Sequence, residues 1–396
     1  MDIKGFALKI QEEIVRWRRD LHRIPELSFE LQRTSQYLRQ QLDRMGIPWK
    51  LCAKTGIVAL IQGGSPGPTI ALRADMDALE IREETGLPFA AENGHMHACG
   101  HDAHMAILLG AAKIISAHRD KLKGNVKLIF QPAEEAEGGA EPMIREGCLE
   151  NPQVDAILAL HIGHLFPEVG LGQIGVSYGP VMAASSIFSV IVKGKSAHVG
   201  TPHTGVDALS AAAEMILSLQ KIVSLELEPG TPAAVTVTQI KGGKALNALC
   251  DEVSFIGDIR TVSKGDERFI KQRINEICRG IAEANRCEAK IELIKDFPAV
   301  VNDETFTEEF VKSAAKIVGE QNIVELKKPS LGNDDMAYFL EKVPGTYFFL
   351  GSYNSEKGPL YPHHHPKFDL DESVLWIGSS VFARTVFDYL EGQAKV

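Results

Sequence analysis

The chain is short of positive charge: 42 lysines and arginines stand against 52 acidic residues, a net charge of −10 at pH 7. That balance argues against a nucleic-acid partner, whose phosphates reward clustered cations. Cysteine is sparse, six in 396 residues. Cys52, Cys99, Cys148, Cys250, Cys278 and Cys287 are scattered, and none sits in a Cys-x-x-Cys pair. This fits a reducing compartment better than a disulfide framework. No run reads as apolar and long enough to span a bilayer, so no membrane segment is expected. The opening Met1-Asp2-Ile3-Lys4-Gly5-Phe6 leads into a charged, helix-like segment without a signal-peptide core, and the expected location is cytoplasmic. Repeats of fixed period and low-complexity tracts are also missing. What remains is ordinary globular composition, 44% apolar and 24% charged, in a chain long enough for two domains.

The first part reads as alternating helices and strands. Apolar spacing predicts a helix over Ile10–Leu21, and Ser28 reads as the N-cap of a second that runs to about Met45. Strands follow at 69–73, 126–130 and 155–160, with helices at 103–117 and 140–146 between them. Such alternation predicts an α/β domain with a mostly parallel sheet flanked by helices. Near Ser185 the texture changes. Strand, helix, strand, strand, helix and strand signals follow over about 110 residues, the order of a ferredoxin-like α+β sandwich. Signals of the first type resume after Pro298. The expected division is a catalytic domain of residues 1–184 and 299–396, with a lid or dimerisation domain of 185–298 inserted.

Polar residues crowd the predicted strand ends, where open α/β sheets gather ligands. Asp75 and Asp77 follow one strand, Glu134 and Glu135 the next, and His161 the third. His95, His97, Cys99, His101, Asp102 and His104 share ten residues. A lone Cys or His is usually structural, but Cys, His and carboxylate together form the ligand set of zinc and its neighbours. From neighbouring positions on an extended chain, Glu134 and Glu135 point in different directions, so one can bind metal while the other moves protons. One of His363, His364 and His365 is expected to be a further ligand. Cys99, His101, Glu135, His161 and one histidine of that triplet make five groups, more than the three protein ligands of a single catalytic zinc, and favour two ions.

Several motifs carry a resemblance. They are Arg19-Asp20-Leu21-His22-Arg23-Ile24-Pro25-Glu26, Ala71-Leu72-Arg73-Ala74-Asp75-Met76-Asp77, His97 to Asp102, Gln131 to Glu135, Gly194 to Gly200, and the His364-Pro366-Phe368 loop. Together they resemble the aminoacylase/carboxypeptidase family of metal-dependent amidohydrolases. Within it they are similar to hippurate hydrolases, N-acyl-amino-acid amidohydrolases and auxin-conjugate hydrolases. The resemblance implies that Cys99, His101, Glu135, His161 and His364 hold a pair of divalent ions. Zinc suits that set, and manganese, nickel or cobalt are compatible with it. It implies Glu134 as general base and then acid, Asp77 as the residue that orients a metal ligand, and His198 as an oxyanion donor, often across a dimer. Asn247 and Arg260 resemble contacts to the substrate carboxylate. The implied substrate is an N-acyl amino acid, with a dipeptidase or metallocarboxypeptidase as the alternative, and the implied assembly is a homodimer or higher homo-oligomer. One departure stands out: Gly332-Asn333-Asp334-Asp335-Met336 replaces the usual Gly-x-Glu-Asp-Phe, which is expected to alter the floor of the acyl pocket.

Overall fold

The computed structural model describes residues 1–393. The chain divides into two compact units. One comprises Met1–Gly179, Val301–Lys327 and the chain from Asp334; the other comprises Pro180–Val300 and Lys328–Asn333. The division therefore falls a few residues before and after the expected boundaries, and residues 328–333 return to the second unit, a crossing that no composition shift announces.

The first unit is built on an eight-stranded sheet. Its spatial order is Trp49–Cys52, Gly56–Gln62, Lys123–Gln131, Ser65–Asp75, Ala156–Gly163, Gly345–Gly351, Ile174–Val176 and Ile323–Glu325. Four of the seven ladders are parallel, including the three at the centre. The central strands are apolar along their length because both faces are covered: Ile70, Ala71, Leu72, Ala156, Ile157, Leu158 and Phe348 are inaccessible. Helix His101–Ser116 is buried on nearly every side, which explains why it is largely apolar after His104. Helices Gln11–His22 and Leu375–Gln393 pack against it. Parallel pairing brings the carboxyl ends of Lys123–Gln131, Ser65–Asp75, Ala156–Gly163 and Gly345–Gly351 to one edge, with Asp75 opposite Gln131 and His161 opposite Phe349.

Ser28 is not a helix N-cap. It has a φ of +53° and its hydroxyl donates to Glu137 at 2.6 Å. The helix starts later, at Gln32, because Glu26 accepts the Arg33 and Thr34 N–H groups and does the capping from a distance.

The second unit has the expected β-α-β-β-α-β order. Strands Glu288–Phe297, Ala184–Lys193, Glu252–Thr261 and Ala233–Gly242 lie in that spatial order, all antiparallel, with helices Ala208–Leu219 and Lys264–Ala284 supplying the core. The expectation that no segment has membrane-spanning length needs correcting. Ala208–Glu226, 19 residues, is long and apolar enough by composition alone. Its Ala208, Ala211, Ala212, Met215 and Leu219 nevertheless face the unit's own core, which accounts for their hydrophobicity.

Candidate metal centre

The candidate ligands converge. Cys99, His101 and His161 bring their ligand atoms within 4.8 Å of one another, as do Cys99, Glu135 and His364, and as do His101, Glu134 and Glu135. Cys99 belongs to the first two sets, so the thiol stands between two adjacent triads. Of the three consecutive histidines, it is His364 that joins such a set, its Nε2 3.4 Å from Glu135 Oε2. His363 instead turns to the Ile162 carbonyl at 3.1 Å, and His365 stacks on Tyr361.

Local structure aims each group. Gly100, with a φ of +90°, turns the chain so that His101 opens a helix. His101 Nδ1 lies 2.8 Å from the Asp77 carbonyl, which fixes a proton there and leaves Nε2 free toward Glu135 and Asp75, 3.7 and 3.8 Å away. His161 Nδ1 donates to the Ile162 carbonyl at 2.8 Å, leaving Nε2 3.4 Å from the Cys99 sulfur. Asp77 accepts the Glu134 N–H through Oδ1 and the Glu135 N–H through Oδ2, both at 3.1 Å. The two carboxylates are thus placed from behind by one buried side chain.

The donors suit a divalent cation. Glu135 Oε1 is buried without a hydrogen-bond partner, an arrangement that costs free energy unless a cation or donor meets it. Against the burial that would lower it, Asp75 and Asp77 push His101 up to about 10. The cluster therefore asks for positive charge beside that ring, where an ion would supply it. Burial holds His161 well below the usual histidine range, so its ring is neutral and ready to donate a lone pair. Burial, then the Glu135 and Glu134 carboxylates, push the Cys99 thiol up; a thiolate here needs a cation next to it. Despite its burial, His364 and His101 hold Glu135 low. Burial and the Asp334, Glu135 and Asp335 carboxylates drive Glu134 well above the ordinary range. Two adjacent glutamates thus differ in proton affinity, the condition for one to ligate and the other to carry protons.

His198, Asn247 and Arg260 lie in the second unit. His198 and Asn247 are exposed neighbours: Val199 N–H donates to the Asn247 carbonyl at 3.1 Å, and the His198 Nδ1 accepts from Gly200 at 3.0 Å. Arg260 is half-buried and already paired with Asp258 at 2.6 Å. The departure at Asp334 and Met336 is not on a surface; both are buried. Asp334 accepts from the Tyr347 hydroxyl at 2.6 Å and from the Met336 N–H at 2.7 Å.

Four further residues, Arg73, His104, Arg18 and His22, take positions that their sequence motifs did not define. Arg73, fully enclosed, pairs with Asp75 at 2.8 Å, Asp335 at 3.0 Å and Asp334 at 3.2 Å. An arginine inside an apolar strand run was the available signal, since a buried guanidinium must find carboxylates. His104 Nδ1 donates to Asp75 at 2.6 Å while its Nε2 accepts the Ile162 N–H at 2.9 Å. Arg18 and His22 both reach Asp102 Oδ2 at 2.7 Å, anchoring the residue after His101.

Comparison with known proteins places this geometry. The model of peptidase family M20/M25/M40 matches residues 71–388. An N-acetyl-L-cysteine deacetylase of Bacillus subtilis is 40% identical over 92% of this chain and 85% of its own length. An IAA-amino acid hydrolase of Arabidopsis thaliana is 37% identical over 94% and 84%, and thermostable carboxypeptidase 1 of Saccharolobus solfataricus is 35% identical over 96% of both. Among solved structures, a dinuclear metal-binding peptidase of Bacillus subtilis superposes with a TM-score of 0.85 at 34% identity, covering 97% of this chain and 99% of that one. With a family model over most of its length and relatives this similar end to end, the chain belongs to peptidase family M20/M25/M40, metal-dependent hydrolases of amide bonds.

Proposed function

We propose that this protein cleaves the amide bond of N-acyl amino acids, releasing a carboxylic acid and a free amino acid. The observation that carries the reading is the Glu134–Glu135 pair, set by Asp77 against a Cys–His cluster with only one of the two carboxylates held at low proton affinity. Relatives named for deacetylation and for hydrolysis of amino-acid conjugates support the substrate class.

Cys99, His101, His161, Glu135 and His364 would hold two divalent ions, with zinc the best match to the donors; when bound, such ions polarise the amide carbonyl and lower the pKa of water. Glu134 accepts a proton from the attacking water and hands it to the leaving nitrogen. Asp77 keeps Glu134 and Glu135 at fixed separation by holding both backbone N–H groups. His104 and Asp75 brace the Ile162 peptide beside His161. His198 is assigned to the oxyanion, where one donor contributes roughly 3–4 kcal/mol to the transition state. Asn247 and Arg260 are assigned to the substrate carboxylate, Arg260 sharing its charge with Asp258.

Carboxypeptidase relatives favour one second reading, release of a C-terminal residue from short peptides with the same machinery. A panel decides: N-acetyl and N-benzoyl amino acids against dipeptides, each with protein reconstituted in zinc, manganese or cobalt. The proposal expects kcat/KM for an N-acyl amino acid to exceed that for any dipeptide by at least about tenfold, or ~1.4 kcal/mol in transition-state binding. The reverse ranking establishes the second reading, and no hydrolysis of either class removes both.

A further inference from the structure

We propose that His363 is a positioning residue that clasps the loop bearing His364 to the strand bearing His161 by donating to the Ile162 carbonyl. This rests on reading His161 and His364 as metal ligands.

One peptide group is the anchor. Ile162 O accepts from His161 Nδ1 at 2.8 Å and from His363 Nε2 at 3.1 Å, which uses both lone pairs of a carbonyl. Its N–H is bound in turn to His104 Nε2 at 2.9 Å. The hydrogen bond that sets the His161 tautomer and the one that holds His363 therefore share an acceptor. His161 sits directly before that peptide and His364 directly after His363, so the shared oxygen ties together two ligands some 200 residues apart in the chain.

The chain makes room for this contact. A Cβ on Gly163 would collide with the His363 imidazole, so a residue with a side chain at 163 would push the ring off the carbonyl. Phe368 packs against the same ring, 4.7 Å between centroids. The backbone at the next residue is also held against its preference. His364 has a φ of +65°, a conformation that non-glycine residues keep only where their surroundings impose it. Two restraints hold it there: the His364 N–H bound to the Ala98 carbonyl at 2.9 Å, and the His363 clasp on the other side. Ala98 precedes Cys99, so the two tethers fix the His364 loop to both neighbouring ligand segments. A ring that only filled space would need no nitrogen aimed at a carbonyl. The nitrogen is what makes His363 a tether.

The experiment compares His363→Phe, which keeps the ring and loses the donor, with His363→Gln, which keeps an N–H donor. His363→Leu is a smaller second apolar variant in case the phenyl ring is not accommodated. Zinc affinity is read by chelator competition with metal counted per chain, alongside kcat and KM and the melting temperature of the metal-free proteins. The expected result is a loss of zinc affinity of about 10-fold or more for the more weakly held ion in His363→Phe and His363→Leu, in the range seen for residues behind metal ligands. His363→Gln recovers most of it, and kcat falls further than KM rises. Wild-type affinity in both apolar variants overturns the proposal. So does an equal loss in all three variants, which would make ring bulk the cause. If the wild-type chain binds no zinc, the ligand reading itself fails and the clasp fails with it; if it binds two ions and the variants match it, only the clasp fails.

Discussion

Asp77 holds Glu134 by its backbone, not its side chain: the Asp77 Oδ1 accepts the Glu134 N–H at 3.1 Å, while Oδ2 takes the next N–H along. A carboxylate with two acceptor oxygens is the only common side chain of that size able to do both. Asp77→Asn turns one acceptor into a donor that faces an N–H. The expected outcome is a 10–100-fold loss of kcat together with weaker metal binding, read by steady-state kinetics and metal titration. Wild-type values for both would remove Asp77 from the machinery.

Glu134→Gln should separate chemistry from binding. The amide keeps the shape and still sits beside Glu135, but cannot carry the proton. Turnover is expected to fall by at least about 10²–10⁴-fold, with the metal count per chain unchanged. Retained turnover would assign the proton transfer to another group.

Gly100 is expected to resist substitution for two reasons that add. Its φ is +90°, and a Cβ there would approach Ile162 Cγ2 to 2.9 Å. Gly100→Ala should cost on the order of 1–3 kcal/mol and tilt the start of the helix that presents His101. Chemical denaturation reads the first effect and metal affinity the second; an unchanged midpoint would contradict the strain.

Asp371 gives a pH dependence of stability. Although burial would raise it, Lys357, Asn354 and the Ser373 N–H hold its carboxyl well below the ordinary range. A depressed folded-state pKa means that the stabilisation is complete above the unfolded value of about 3.9 and is lost as pH falls further toward the folded value. Asp371→Asn should therefore be less stable than wild type at pH 7 by about 1–3 kcal/mol, and the gap should close below about pH 4. A gap that stays constant down to pH 2 would disprove the linkage.

Much of the architecture was legible because periodicity and breakers act locally. The strands ending at Asp75 and Gln131, the helix opening near His101 and the order of the second unit could all be read from runs of apolar residues. Boundaries at the edges were less visible. Short strands such as Ile174–Val176 and Ile323–Glu325 carry too few residues for a pattern, and the Ser28 cap failed because Glu26, not the nearest hydroxyl, met the free N–H groups.

The sequence by itself determined the donor types, their order along the chain and the placement of three of them at strand ends, since a parallel sheet must bring those ends to one edge. The residue pattern alone left open which histidine of 363–365 joins Cys99 and Glu135; the resemblance implied His364, and the tertiary structure brings that one to them. Only the tertiary structure decided that His104 serves Asp75, and that Arg73 balances Asp75 of its own strand together with Asp334 and Asp335 from one distant segment. The reason is physical. Donor chemistry belongs to single residues, but burial, tautomer and charge balance belong to pairs, and those pairs exist only once folding has brought remote segments within hydrogen-bonding distance.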